Sequence, residues 1–210
     1  SNSLAGAPEA DDDQSAPPTL PKAQKLSKPS QTAQARTPVS KLVHEAHQIK
    51  KSKAMVPFEV IWDEEDITKP WKVVMPFAIF VEDAPELAQD LQDYEDIAQK
   101  PAQIVLEISF PACFPEDPPF VRDVTPRFIH YTGHVTAGGS ICTEVLTNNN
   151  SPASWNPAIT MEGLILMLQN IIGVEGKGRL YLDRGCEIPY DATEARTAFQ
   201  RALATHGWKM

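Results

Sequence analysis

Leu42, Ala46 and Ile49 stand at i, i+4 and i+7, the repeat of one helical face, and predict an amphipathic helix over residues 37–53. Pro38 falls where a first-turn proline is tolerated, and Lys50, Lys51 and Lys53 complement the C-terminal end of the helix dipole. The period then shortens. Residues 58–62, 71–81 and 103–110 are rich in β-branched and aromatic side chains, with Pro and acidic residues between them, and predict three strands of an antiparallel meander; residues 121–125 supply a fourth. Between the second and third strands, residues 82–100 read as an inserted acidic helix. Asp83 is placed to cap it, Pro85 to open it, and Leu87, Leu91 and Tyr94 share a face. Residues 160–172 and 191–206 have helical spacing, and no internal repeat is visible. The expected fold is α+β: an N-terminal helix, a four-stranded antiparallel meander with a helical insert between strands 2 and 3, and C-terminal helices.

Composition divides the chain. Residues 1–38 hold six of the nineteen prolines and no aromatic, Val, Ile or Met, too little apolar surface to offset the entropy of ordering. A disordered tail is expected over residues 1–37 and one folded domain over residues 38–210. The net charge of −9 divides as well. Residues 1–36 carry four acidic and four basic side chains, residues 37–53 four lysines against one glutamate, and residues 54–210 23 acidic and 11 basic side chains, about −12 net. An acidic body disfavours nucleic acid as a partner, because neutralising phosphates takes clustered Lys and Arg. The longest apolar run is about five residues, as in 164–168, against the roughly 20 of a membrane helix, and no charged-then-apolar leader opens the chain. No membrane association is expected. The three cysteines Cys113, Cys142 and Cys186 cannot all pair with one another and match no zinc ribbon or CxxC spacing, so at least one free thiol remains. That suits the cytoplasm or nucleus.

The chemistry concentrates in residues 114–156. A proline-rich turn, Phe114-Pro115-Glu116-Asp117-Pro118-Pro119, precedes the fourth strand. Next, Cys142 follows Gly138-Gly139-Ser140-Ile141, a turn whose glycines let the backbone approach something closely, and His134 lies eight residues upstream. Trp155-Asn156-Pro157-Ala158 then leads into an apolar helix. His130, His134 and Cys142 have the spacing of part of a zinc site but lack a fourth ligand, and a Cys–His hydrolase would need a third, orienting residue. By itself a free cysteine is more often a small buried hydrophobe than a nucleophile, and Cys113 and Cys186 are read that way.

The order of these motifs resembles the ubiquitin-conjugating enzymes over residues 38–208. The resemblance implies that fold, and implies that Cys142 carries ubiquitin as a thioester. The family's His-Pro-Asn tripeptide is represented by Thr132-Gly133-His134, so His134 stands at the Asn position. With the insert and the C-terminal Gly-Lys-Gly-Arg and Gly-Trp segments, the chain is most like the divergent Q-type members, which also lack the tripeptide. An imidazole at residue 134 would donate to an oxyanion or take a proton from an attacking group, and hydroxyl acceptors need that help most. Transfer to Ser and Thr as well as Lys is therefore expected.

Further roles come by the same resemblance. Pro157 and Ala158 match a loop that contacts ligases, with Trp155 as its buried anchor. Glu116 stands where the family has an apolar hook for the ligase, a carboxylate costly to desolvate. The family's acidic residue after the helix, which orients an incoming lysine, has no evident match in residues 176–179, and Glu144 is a local alternative. Lys41, Lys50 and Lys51 on the basic helix are candidates for meeting the activating enzyme. The acidic insert is read mainly as a solvated face. Expected partners are ubiquitin, the activating enzyme, a ligase and a protein substrate. No metal or organic cofactor is expected, since the activating enzyme consumes the ATP. Two alternatives stay open: a catalytically weak or inactive variant that binds ubiquitin or a ligase, and a carrier of another ubiquitin-like modifier.

Overall fold

Strands β1 (Glu59–Ile61), β2 (Trp71–Pro76), β3 (Gln103–Ser109) and β4 (Phe120–Thr125) pair antiparallel in the order of the chain, β1-β2-β3-β4. The computed structural model describes residues 37–53 and 55–209, so the tail expected over residues 1–37 lies, apart from Thr37, outside the described residues. Alternation decides which face is buried. Trp71, Val73 and Met75 on β2 lie opposite Ile108, Leu106 and Ile104 on β3, and all six are fully buried. Residue 71 opens that strand as expected, but the ladder stops at Pro76, and Phe77–Ile79 form a 3₁₀ turn instead of continuing to residue 81. The apolar run goes on past Pro76 while the two-residue alternation does not, and pairing follows the alternation.

Helix α1 (Pro38–Ser52) buries Leu42, Ala46 and Ile49, and Thr37 Oγ1 accepts from Ser40 N–H at its start. Helix α2 (Pro85–Ala98) is the insert, burying Leu87, Leu91 and Tyr94. Asp83 does not cap it: Ala84 holds the cap position without a side-chain bond, and Gln99 closes the far end at φ 54°. Helix α3 (Met161–Asn170) starts from the Thr160 hydroxyl and widens into a π turn, Ile171–Glu175, before the chain turns away. Helix α4 (Ala192–His206) is opened by Asp191 and Glu194 in a reciprocal capping box and closed by Gly207 at φ 67°. Among the described residues no helix is long and apolar enough to cross a membrane.

Two charges expected at the surface are inside. Lys41 Nζ lies 2.6 Å from Glu45 within α1, with side chains 7% and 2% exposed, and Glu45 Oε2 accepts the Met161 N–H at 2.8 Å. The pair therefore ties α1 to the first turn of α3, and Glu45 faces the positive end of that helix. On α2, Asp90 is 4% exposed and ion-paired to Arg179. The acidic insert is thus solvated on one face and anchored by a carboxylate on the other.

The outer edge of β4 is covered by the segment that carries Cys142. Asp123 N–H donates to Gly139 O at 2.7 Å and Ile141 N–H to Val121 O at 3.0 Å. Gly138 and Gly139 permit this. A Cβ on Gly138 would meet the Glu194 carbonyl oxygen of α4 at 2.5 Å, and one on Gly139, at φ 91°, would meet the Tyr190 ring at 2.4 Å. The surfaces that the two glycines approach are Tyr190 and the first turn of α4.

Candidate active site

Cys142 is one residue past the β4 edge bond, half-buried, on the wall of a groove of about 900 Å³. His134 shares that wall. The two residues are joined through their backbones: Cys142 N–H donates to the His134 carbonyl at 2.8 Å, and His134 Nδ1 lies 3.2 Å from the Cys142 carbonyl. A carbonyl can only accept, so Nδ1 carries a proton in this bond, and in the neutral imidazole it is Nε2 that offers a lone pair. The bridge between Val135 and Ile141 sets the two strands of this small loop in register. His134 itself is exposed and adopts φ 54°, a conformation uncommon for a residue with a side chain. Burial pushes the Cys142 thiol above its ordinary pKa. At rest the sulfur is protonated.

The loop containing Trp155, Pro157 and Ala158 forms part of the rim. Trp155 is buried and its Nε1–H donates to Pro115 O at 2.7 Å, which fastens this loop to the proline-rich turn. The Trp71, Phe110, Phe114 and Trp155 rings follow one another with centroids 5.2, 5.0 and 6.1 Å apart, so aromatic contact carries the rigidity of the sheet out to the groove. Pro157 is half-buried and Ala158 exposed, and Asn156, whose Oδ1 accepts the Ala158 N–H, also faces the groove. Glu116 is exposed on the proline-rich turn. Glu144 lines the groove and accepts from the Ser151 hydroxyl at 2.5 Å.

The lysines of α1 separate. Lys41 is buried in its ion pair, so it is not presented at the surface. Lys50 is exposed, bound to Glu64 at 2.7 Å and set over the Trp62 ring at 5.3 Å, and Lys51 is exposed. Of the other cysteines, Cys186 is a buried hydrophobe, whereas Cys113 is exposed and does not fit that reading. Its neighbour Phe114 takes the buried position in the turn.

Two groove residues escaped the sequence reading. Glu175, the last residue of the π turn, lines the groove beside Asn170, whose amide donates to it at 3.1 Å. It lies one position before the residues 176–179 in which no acidic group is found. Trp208 lines the groove from the C-terminal side. Its ring stacks on His206 at 4.4 Å, and Lys209 pins the segment, accepting from Asn148 N–H at 2.8 Å and donating to Asn149 Oδ1 at 2.9 Å. The only sequence signal for this return was a Gly-Trp after the last helix.

Residues 94–178, which include His134, Cys142 and the Trp155 loop, match the family "Ubiquitin-conjugating enzyme". A Q-like protein of the ubiquitin-conjugating enzymes, found under one name in Mus musculus and in Homo sapiens, is 35% identical over 109 residues, 50% of this chain and 63% of the relative. "Ubiquitin-conjugating enzyme E2 Q1" of Homo sapiens is 34% identical over 108 residues, 50% of this chain and 24% of the relative. The chain therefore spans less than two thirds of these relatives' length. Among solved structures, human "Ubiquitin-conjugating enzyme E2 G1" is similar with a TM-score of 0.45 at 20% identity, over 62% of this chain and 90% of that one.

Proposed function

We propose that this chain is a ubiquitin-conjugating enzyme of the Q type, as the match of residues 94–178 to that family and the similarity to its Q-type members support, and that Cys142 accepts the ubiquitin carboxyl terminus as a thioester and passes it to protein acceptors. The observation that carries this reading is the reciprocal pairing of a half-buried free cysteine with His134 on the wall of an open groove. In the first step the Cys142 sulfur, deprotonated as it attacks, displaces the activating enzyme's thiol from the ubiquitin carbonyl. In the second, an acceptor nucleophile attacks the thioester carbonyl, and the Cys142 thiolate leaves and is reprotonated.

His134 serves the second step. With Nδ1–H held by the Cys142 carbonyl, Nε2 is left to take the proton of an acceptor hydroxyl, which is a weak nucleophile without such a base. The raised thiol pKa supports the same division of labour, because a more basic sulfur leaves less readily and the thioester waits for an activated acceptor. Glu175 offers an amine acceptor a carboxylate on the groove wall, so lysine transfer is retained in this reading. The chain would use no metal or organic cofactor of its own, and would work in the cytoplasm or nucleus with an activating enzyme, ubiquitin, a ligase and a substrate. Lys50 and Lys51 are the remaining candidates for the activating-enzyme face.

Incubating the chain with activating enzyme, ATP and ubiquitin tests this. A reducible adduct on a non-reducing gel, lost in Cys142→Ala, is expected; no adduct, or one that persists in that variant, overturns the carrier reading and leaves a binding module. Hydroxylamine-labile products on serine- or threonine-containing acceptors are expected after discharge, and their absence removes the hydroxyl route.

A further inference from the structure

The face of α2 that is turned inward ends in a chain of bonds that reaches His134. Asp90 accepts Arg179 Nε at 2.7 Å, Arg179 Nη2 at 2.9 Å and the Leu180 N–H at 2.9 Å, so one buried carboxylate fixes both the side chain and the backbone of residues 179–180. That segment is bonded on its other side to the turn before His134. Ile129 N–H donates to Arg179 O at 2.8 Å, and the Thr132 hydroxyl accepts the Arg179 N–H at 3.1 Å. The same hydroxyl lies 2.8 Å from the Ile129 carbonyl and 3.2 Å from the Arg179 carbonyl. Gly133 N–H donates to Gly176 O at 2.8 Å. The contact is close: a Cβ on Gly176 would lie 2.7 Å from Gly133 Cα and 2.8 Å from the His134 nitrogen.

His134 follows directly, at φ 54°. An isolated turn would not hold a non-glycine residue there, since the left-handed region costs about 1–2 kcal/mol for an ordinary side chain. The surrounding bonds must over-determine it. The bonds set out above that fix residues 129–133 from outside the turn end on Gly176 and Arg179; Gly176 is held by the Ile171 carbonyl at 2.8 Å, whereas Arg179 and the following Leu180 are fixed by Asp90.

We propose that Asp90 is a positioning residue for His134, acting from the acidic insert through Arg179 and Thr132, so that the insert sets the orientation of the imidazole over the Cys142 carbonyl. The inference deepens the transfer reading and rests on it for its kinetic consequence. Its structural content is independent: the insert's carboxylate selects the Nδ1–H form of His134 at rest.

The test uses Asp90→Asn, Thr132→Val and Thr132→Ser, each with His134 intact and with His134→Ala. A positioned general base contributes roughly 10²- to 10⁴-fold, and partial misplacement is expected to forfeit about tenfold of it. Asp90→Asn and Thr132→Val should therefore take up ubiquitin as the parent does but discharge it to a hydroxyl acceptor about tenfold more slowly. Thr132→Ser, which keeps the hydroxyl, should discharge like the parent. In the His134→Ala background neither slowing variant should slow discharge further. Long-range nitrogen–proton correlation spectra of the resting protein should show the Nδ1–H form of His134 in the parent and in Thr132→Ser, and a mixture of forms in the other two. Slowing that adds to His134→Ala, or an unchanged His134 spectrum in both Asp90→Asn and Thr132→Val, overturns the proposal. If the parent takes up no ubiquitin, the transfer reading fails on its own and the spectra still decide whether Asp90 positions His134.

Discussion

The Tyr190 ring occupies the space where a side chain on Gly139 would begin, with Cγ 2.4 Å from the Cβ position, and Gly139 is held at φ 91°. Tyr190 is itself fixed: its hydroxyl accepts the Phe128 N–H at 3.0 Å, and Arg127 packs over the ring at 4.3 Å. The ring cannot withdraw cheaply, so Gly139→Ala must either move the strand that carries Cys142 or displace Tyr190. A loss of about 2–4 kcal/mol is expected from steric overlap and backbone strain together, with loss of thioester formation. Gly207→Ala is the control. It has a similar φ of 67° but nothing within 4 Å, so about 1 kcal/mol is expected. Urea unfolding of the two variants reads the difference.

Asp123 is fully buried on the core face of β4, opposite Leu106, and among the described residues neither carboxylate oxygen finds a partner at full hydrogen-bond geometry, only the weaker pull of the Val124 and Thr125 backbone N–H groups. Burial raises its pKa well above the ordinary carboxylate value. The folded state therefore holds this proton more tightly than the unfolded chain does. Its contribution to stability is complete below the unfolded pKa of about 4 and is lost as pH rises through the folded pKa. The slope is at most about 1.4 kcal/mol per pH unit. Asp123→Asn, neutral at every pH, should remove that decline, and the variant should gain on the parent as pH rises from 4. Urea midpoints measured from pH 4 to 8 check the sign; a difference that shrinks with pH contradicts it.

How much of this was legible depended on whether a residue's role is local. Leu42, Ala46 and Ile49 report a helical face within eight residues of chain, and Trp71, Val73 and Met75 report a strand, because periodicity is enforced by one buried surface. Cys142 was legible through its glycine turn and through resemblance. By contrast Lys41 and Asp90 read as surface charges, since what draws them inside is distant in the chain: the Met161 N–H lies 116 residues from Glu45, the partner of Lys41, and Arg179 lies 89 residues from Asp90. Glu175 and Trp208 failed for the same reason. Each reaches the groove only through tertiary packing, one by the π turn after α3 and the other by the return of the chain after α4.

The Lys41–Glu45 pair gives a test of buried charge. Removing one partner leaves the other buried and unpaired, a cost of about 3–5 kcal/mol, while replacing both with apolar residues of similar volume is near neutral. Glu45→Ala should be the more damaging single change, because it also strips the Met161 N–H of its acceptor. Lys41→Met with Glu45→Leu should recover most of the loss. Thioester formation by that double variant at folded concentrations should match the parent, since neither side chain reaches the surface; a charging defect there would return Lys41 to the activating-enzyme face.

Under the proposed transfer reading, Glu175 favours amine over hydroxyl acceptors. Its carboxylate is exposed on the groove wall and held by the Asn170 amide at 3.1 Å, with one oxygen left to receive an ammonium or amine N–H. A lysine acceptor arrives protonated and gains from a carboxylate that draws it into the groove; a hydroxyl acceptor carries no charge and gains little. Glu175→Gln keeps the shape and the bond to Asn170 while removing the charge. Discharge to free lysine should fall about tenfold, the equivalent of losing one interaction of ~1.4 kcal/mol in the transition state, while discharge to a serine acceptor stays within about twofold. The ratio of the two rates, measured on isolated thioester under single-turnover conditions, separates this role from any effect on the fold, which would lower both together.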